Sequence, residues 1–144
     1  MKAVIQRVKR ASVRAGELEA SIGPGLLVLA GLEAGDTAET CAWAAAKIAS
    51  LRVFEDAQGK MNLGLADVDG EILAVSQFTL AGSIARGRRP SFDGAMAPEA
   101  ARVLFATFLG QLRTHHPRTK SGYFQEHMEV DLVNDGPVTF ILER

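Results

Sequence analysis

The chain has 144 residues, 47% of them hydrophobic and 23% charged, with a formal net charge of −1. That composition excludes a disordered, collagen-like or disulfide-stapled chain, and a single domain over 1–144 can bury about two thirds of its unfolded surface. Cys41 is alone, no signal-peptide core opens the chain, and the longest apolar run, Leu26 to Ala30, is too short to cross a bilayer, so a cytoplasmic protein without a membrane partner is expected.

The first residues, Ala3 to Val13, roughly alternate apolar and polar, and after a turn at Ala15-Gly16 a second run leads through Leu18 to Ile22. This pattern predicts a hairpin. Gly23-Pro24-Gly25 then interrupts, and the continuously apolar Leu26 to Ala30 predicts a central strand covered on both faces. Asp36 with Glu39 three residues later reads as an N-cap, and Cys41, Ala44, Ala45, Ile48 and Leu51 at helical spacing predict a helix over about 37–51. Trp43 sits just off that stripe and reads as a packing residue.

Phe54 to Asn62 reads as a strand end, a glycine turn and an irregular return, followed by a turn over Asp67 to Gly70. Glu71 to Leu80 predicts the next strand, with Gln77 and Thr79 on one face and Ser76 and Phe78 on the other. Residues 81–97, with three glycines, Pro90 and several arginines, predict a long surface loop. Pro98 then opens a helix with Ala101, Leu104, Phe105, Phe108, Leu109 and Leu112 on one face, ending before Pro117. Near the end, Met128 to Val133 and Val138 to Leu142 flank Asn134-Asp135-Gly136-Pro137. One reading is a hairpin with an Asp-Gly turn; the other is a cis Gly136-Pro137 bond that displays two carbonyl oxygens for inspecting a small ligand. The order of elements argues an α+β domain, a mostly antiparallel sheet curling toward a barrel with two main packed helices and hairpins at both ends.

Several chemistries have no support in the sequence. No Gly-x-Ser-x-Gly elbow, Walker loop or Gly-x-Gly-x-x-Gly occurs, and His115, His116 and His127 lack acid partners or metal-ligand spacing, so no metal and no cofactor is expected. Lys2, Arg7, Lys9, Arg10 and Arg14 precede the first acid, and Arg86, Arg88 and Arg89 form a second basic knot. A partner such as DNA, tracked along its backbone, would need broad positive charge; these clusters allow a local touch on nucleic acid and are equally explained as solvated arginines. The strand end at Ser76 to Thr79, running into the Gly/Arg loop, can leave N–H groups free to hold an oxyanion.

Five segments in order, Gln6-Arg7-Val8, Lys60 to Leu63, Ser76 to Leu80, Gly87 to Phe92 and Asn134 to Thr139, together resemble the D-aminoacyl-tRNA deacylases, the D-tyrosyl-tRNA deacylase family. The resemblance spans essentially the whole chain. It implies a homodimer that hydrolyses the ester between a D-amino acid and the 3′-terminal adenosine of tRNA, and by extension glycyl-tRNA mischarged on tRNA-Ala. It implies a catalytic pocket of Ser76, Gln77, Phe78 and Thr79, and substrate-binding roles for Gly136, Pro137, Arg7 and Met128. The Gly-Pro loop would be cis and reach into the partner's site, steadied by Arg7.

Two departures stand out. Tyr123-Phe124-Gln125-Glu126-His127-Met128 replaces smaller residues at that position, and Ile84-Ala85 replaces more polar ones. Two other classes of function stay open: a non-catalytic dimer that binds RNA ends through Arg86, Arg88 and Arg89, and a structural dimer whose motifs serve only the interface.

Overall fold

The computed structural model describes residues 1–144. Strand β1 (Lys2–Ala15) is bordered on both edges along nearly its whole length. On one edge lie β2 (Leu18–Ile22) and β3 (Gly25–Gly31), the first reached through a turn at Gly16, whose φ of 58° favours glycine. Ala11 opposes Ile22 and Val8 opposes Gly25, a step of three on both sides, so β2 and β3 are two halves of one antiparallel partner broken at Gly23-Pro24. The other edge takes β8 (Glu129–Glu143), also antiparallel.

Two helices carry the chain between strands that run parallel. Helix α1 (Ala38–Ala49), followed by the small hairpin β4 (Phe54–Glu55) and β5 (Met61–Leu63), connects β3 to β6 (Glu71–Ser76). Helix α2 (Pro98–His115) connects β6 to β7 (Thr119–Ser121). Parallel neighbours need long crossovers, and these helices supply them. The sheet is therefore mixed, and it curls into a nearly closed barrel.

One sheet face, with Ile5, Leu26, Val28, Ile72 and Ala74, packs under Cys41, Ala44, Ala45 and Ile48 of α1 and Phe105, Phe108 and Leu112 of α2. The opposite face, with Val8, Ala11, Val13, Ile22, Leu27, Leu73 and Val75, packs on itself inside the barrel. In an unbroken strand Ile5 and Ala11, both odd-numbered, would share a face. Here they do not, because one extra β1 residue between Val8 and Arg10 makes a bulge against β8 that turns the later odd positions inward.

The first hairpin, the central β3, both helices and the Pro98 start follow the sequence pattern. Four details differ and a fifth, the parallel part of the sheet, is not foreseen in that pattern. The cap of α1 is Thr37, whose hydroxyl accepts from Thr40 N–H, because Asp36 is engaged elsewhere, accepting from the Met1 ammonium at 2.8 Å and Glu33 N–H at 2.7 Å. Trp43 remains 38% exposed with the Arg144 guanidinium 5.0 Å from its ring centre, so it serves as a cation platform outside the core. The sheet is mostly antiparallel, as expected, but β3, β6 and β7 pair in parallel, which local pattern does not reveal because it depends on how the helical connections cross over. Strand β6 stops at Ser76, and Phe78–Ala81 coils into a 3₁₀ turn, so the predicted face alternation ends at Ser76. The C-terminal hairpin is absent: residues 129–143 form the single strand β8, since both halves pair with β1 and not with each other.

The barrel seam near β6 is tied by Glu71. Its carboxylate accepts from Gly23 N–H at 2.8 Å and pairs with Lys120 at 3.3 Å and Arg118 at 3.9 Å. The Gly23 hydrogen bond first, then these cations, hold its carboxyl below the ordinary value of 4.5. A depressed carboxyl stabilises the fold above the unfolded value and loses that contribution as pH falls through the folded one. In urea unfolding, wild type is expected to exceed Glu71→Gln at about pH 7, with the gap closing toward about pH 3. A gap that stays constant over this range would show that the charge of Glu71 does not contribute.

Candidate active site

Where β6 leaves the sheet, Gln77 N–H donates to Ala30 O at 2.8 Å, a last tie to β3 before the chain turns. Leu80 N–H then reaches Gln77 O and Gly82 N–H reaches Thr79 O, closing the 3₁₀ turn. The turn sits directly on β3 at Gly31, where a Cβ would fall 2.8 Å from both Gln77 O and the Leu80 Cβ. Glycine is thus required for this close approach.

Beside the turn opens a cleft of about 480 Å³. Val75, Ser76, Gln77 and Phe78 form one wall, Met96, Pro98 and Ala101 at the start of α2 another, and Phe124 to Met128 with Val130 the lip. Phe78 is 56% exposed and packs against Phe92, with ring centres 5.1 Å apart. Phe92 belongs to the loop after the turn, which is pinned by paired backbone bonds between Ser83 and Ser91 at 2.7 and 2.9 Å. Arg86, Arg88 and Arg89 stand exposed on that loop, and none is in an ion pair.

The second cluster lies on β1 and β8. Gln6 opposes Thr139 and Val8 opposes Asn134, so four residues, 135–138, bulge out opposite the single residue Arg7. Arg7 is only 4% exposed. Its Nε donates to Asp135 O at 2.8 Å, Nη1 to Val53 O at 2.7 Å, and Nη2 to Glu55 Oε1 at 3.3 Å. Asn134 closes the base of the bulge, accepting from Val138 N–H at 2.7 Å through Oδ1 and donating through Nδ2 to Val138 O and Thr139 Oγ1, each at 3.2 Å. Gly136 and Pro137, joined by a cis peptide bond, remain exposed at the crest.

The predicted site residues therefore fall into two groups. Ser76, Gln77, Phe78 and Met128 line the cleft, and Thr79 lies beside it on the same turn, its hydroxyl accepting from the Gln77 amide. Arg7, Gly136 and Pro137 meet one another on the bulge, outside the cleft lining of their own chain. No imidazole or carboxylate bonds to the Thr79 or Ser76 hydroxyl. Burial pushes the one thiol, Cys41, up to about 11, which leaves it protonated at neutral pH.

Sequence reasoning missed Phe92, Met96 and Ala101 as neighbours of the cleft, and Asn134, Val53 and Glu55 as supports of the bulge. An asparagine just before Asp-Gly-Pro was a local signal for backbone bracketing. The others come together only through long-range packing.

A sequence model of the family described as D-Tyr-tRNA(Tyr) deacylase matches residues 4–143. The chain is 58% identical over 144 residues to the D-aminoacyl-tRNA deacylase of Geobacter sp. (strain M21), covering 99% of this chain and 97% of that one. It is 50% identical to the protein of that name in Carboxydothermus hydrogenoformans, covering 99% of each. Among solved structures, one titled c-Myc DNA Unwinding Element Binding Protein is similar, with a TM-score of 0.93 and 45% identity over 100% of this chain and 99% of that one. Another, titled a probable eukaryotic D-amino acid tRNA deacylase, shares the fold, with a TM-score of 0.85 at 16% identity, over 98% and 97% of the two chains. With the family's pattern matched along nearly its whole length, the chain belongs to the D-Tyr-tRNA(Tyr) deacylase family, whose members are ester-hydrolysing enzymes.

Proposed function

We propose that this chain acts in the cytoplasm as a homodimeric D-aminoacyl-tRNA deacylase, in which each cleft receives the Gly136-Pro137 crest of its partner. The observation that carries this reading is the separation of the two groups. Within one chain the cleft has Ser76, Gln77 and Phe78 but not the bulge, and the bulge faces solvent. A second copy can join them, and β8 offers the means, with an unpaired outer edge and exposed Val130, Phe140 and Ile141.

In this reading the 3′-terminal adenosine enters the cleft and its ester carbonyl meets the N–H groups of Phe78 and Thr79. The first N–H groups of a helical turn have no carbonyl behind them within that turn, so they can stabilise the developing oxyanion. The substrate's own 2′-hydroxyl assists the attack of water on the carbonyl carbon, in keeping with the absence of a protein base at the turn. The ester C–O bond then breaks, the 3′ oxygen takes up a proton, and free D-amino acid and tRNA leave. The partner's Gly136 and Pro137 carbonyl oxygens face the alpha carbon, where an L side chain would strike them, which rejects by collision whatever the side chain is. Glycine has nothing to collide.

Arg86, Arg88 and Arg89 on the Phe92 loop would meet phosphates of the same RNA end. A second reading, RNA-end binding without catalysis, rests on those free arginines alone. It predicts salt-sensitive binding of uncharged tRNA and no ester cleavage.

A timed comparison of D-Tyr-tRNA, L-Tyr-tRNA and glycyl-tRNA-Ala with purified protein and chelator present separates these readings. Cleavage of the D-ester and the glycyl ester, with the L-ester left intact, is expected. Equal loss of the D and L esters would refute the filter, and no loss of any would leave only the binding role.

Thr79→Ala should retain D-Tyr-tRNA cleavage within about tenfold of wild type, a barrier change of about 1.4 kcal/mol. A much larger loss would point instead to Thr79 as a covalent nucleophile.

Gly136 has φ +146°, and an added Cβ would lie 2.6 Å from Val138 Cγ2, 2.9 Å from Val138 N and 3.2 Å from Arg7 Nη2. Gly136→Ala must therefore displace the crest, and at least about a hundredfold loss of D-ester cleavage is expected in protein that remains folded by circular dichroism. Unchanged D-selective activity in that variant would remove the crest from the site.

A further inference from the structure

The cleft runs between the start of α2 and the lip of residues 123–128, and the lip has little backbone support of its own. Glu126 N–H reaches Tyr123 O at 3.5 Å, the one backbone hydrogen bond within that segment, and Gln125 inside this turn has φ 66°. Glycine or asparagine is the usual residue at such a position, because a larger side chain crowds the backbone there. A turn that carries glutamine instead needs support from outside.

Arg102 on α2 supplies it. Its Nη2 donates to Gln125 Oε1 at 2.9 Å, and its guanidinium lies 4.8 Å from the centre of the Phe124 ring. Phe124 in turn packs on Phe105 of the same helix, with ring centres 6.0 Å apart. No other side chain from outside the lip hydrogen-bonds to it. One planar cation thus fixes two successive residues, by stacking and by directed donation at once. Arg102 does not itself line the cleft, whereas Ala101 beside it and residues 124–128 do.

We propose that Arg102 is a positioning residue for substrate binding: it latches the Gln125 turn to α2 and so sets the width of the cleft mouth. This rests on the aminoacyl-ester reading above for the identity of the ligand, and not for the latch. Freed from Arg102, the turn would leave its left-handed conformation, and the wall of Gln125, Glu126 and His127 would shift against the bound adenosine end. The turn at Phe78 and Thr79 belongs to another wall and would stay in place, so the loss would fall on binding and spare the chemical step.

The test compares Arg102→Ala with wild type and repeats the change in a Gln125→Gly background, where glycine accepts φ 66° without a latch and offers no side-chain acceptor. Arg102 is exposed, so the variants are expected to fold, as checked by circular dichroism. The ligand probe is 3′-deoxy-3′-(D-tyrosylamino)adenosine, whose amide resists hydrolysis and which has no phosphate for a loose arginine to attract. In the wild-type background Arg102→Ala is expected to raise Kd for the probe about fivefold and to speed hydrogen exchange of the lip amides about tenfold. For D-Tyr-tRNA, KM should rise to a similar degree with kcat within about twofold. In the glycine background the same change should move Kd and exchange by less than about twofold, because glycine leaves no strain to release. An unaltered Kd, or an equal rise in both backgrounds, overturns the inference, the second because an effect of charge alone needs no Gln125. Wild-type protein that shows this coupling in probe binding and cleaves no ester sustains the latch and defeats only the hydrolytic reading.

Discussion

The guanidinium of Arg7 is the contact on which the arrangement of β1, β4 and β8 turns. Removing a cation from water costs several kcal/mol unless its donors are met, roughly the scale of a domain's whole stability. Here they are met by Asp135 O, Val53 O and Glu55, which belong to two separate stretches of chain. Satisfying one side chain thus ties the bulge of β8 to the segment that follows α1. Because Arg7 stands alone opposite residues 135–138, its hydrogen bonds take the place of the ladder that the bulge interrupts.

Asn134 completes the same device from the other side. Its amide mimics a peptide group, donating and accepting at Val138, so the base of the bulge stays paired while its crest, Gly136-Pro137, is left to solvent. The cleft is built on a different principle. It opens where β6 stops pairing and the chain coils over Gly31, and its walls come from the start of α2 and the lip before β8. The projecting crest and the cleft lie on separate parts of one chain, and the proposed dimer would bring them together.

Charge divides the mouth of the cleft in a similar way. The Phe92 loop carries three arginines without partners, and the opposing chemistry sits on the lip at Glu126. Neither cluster is explained by stability, since exposed and unpaired charges contribute little to it. The network at Glu71, by contrast, joins Gly23, Arg118 and Lys120 across the barrel seam and is accounted for by folding alone.

Much of this was legible from local pattern. Periodicity gave α1 and α2, because an element that meets the core along one face must repeat its apolar residues at that element's spacing, and an unbroken apolar run gave β3, which is covered on both faces. The motifs of residues 76–80, 87–92 and 134–139 carried the family, since each is a short contiguous string readable without the fold. Other features were decided only when distant segments met. Asp36 lost its capping role to the Met1 ammonium, a contact across 35 positions. The expected C-terminal hairpin became one strand because β1 offers a full-length edge to both of its halves, and the parallel pairing of β3, β6 and β7 depends on helices packing back over the sheet. Sequence by itself determined the family and singled out the candidate residues. Tertiary structure alone put Arg7 beneath the bulge and Glu126 on the cleft, because those positions depend on strand register and packing between residues far apart in the chain.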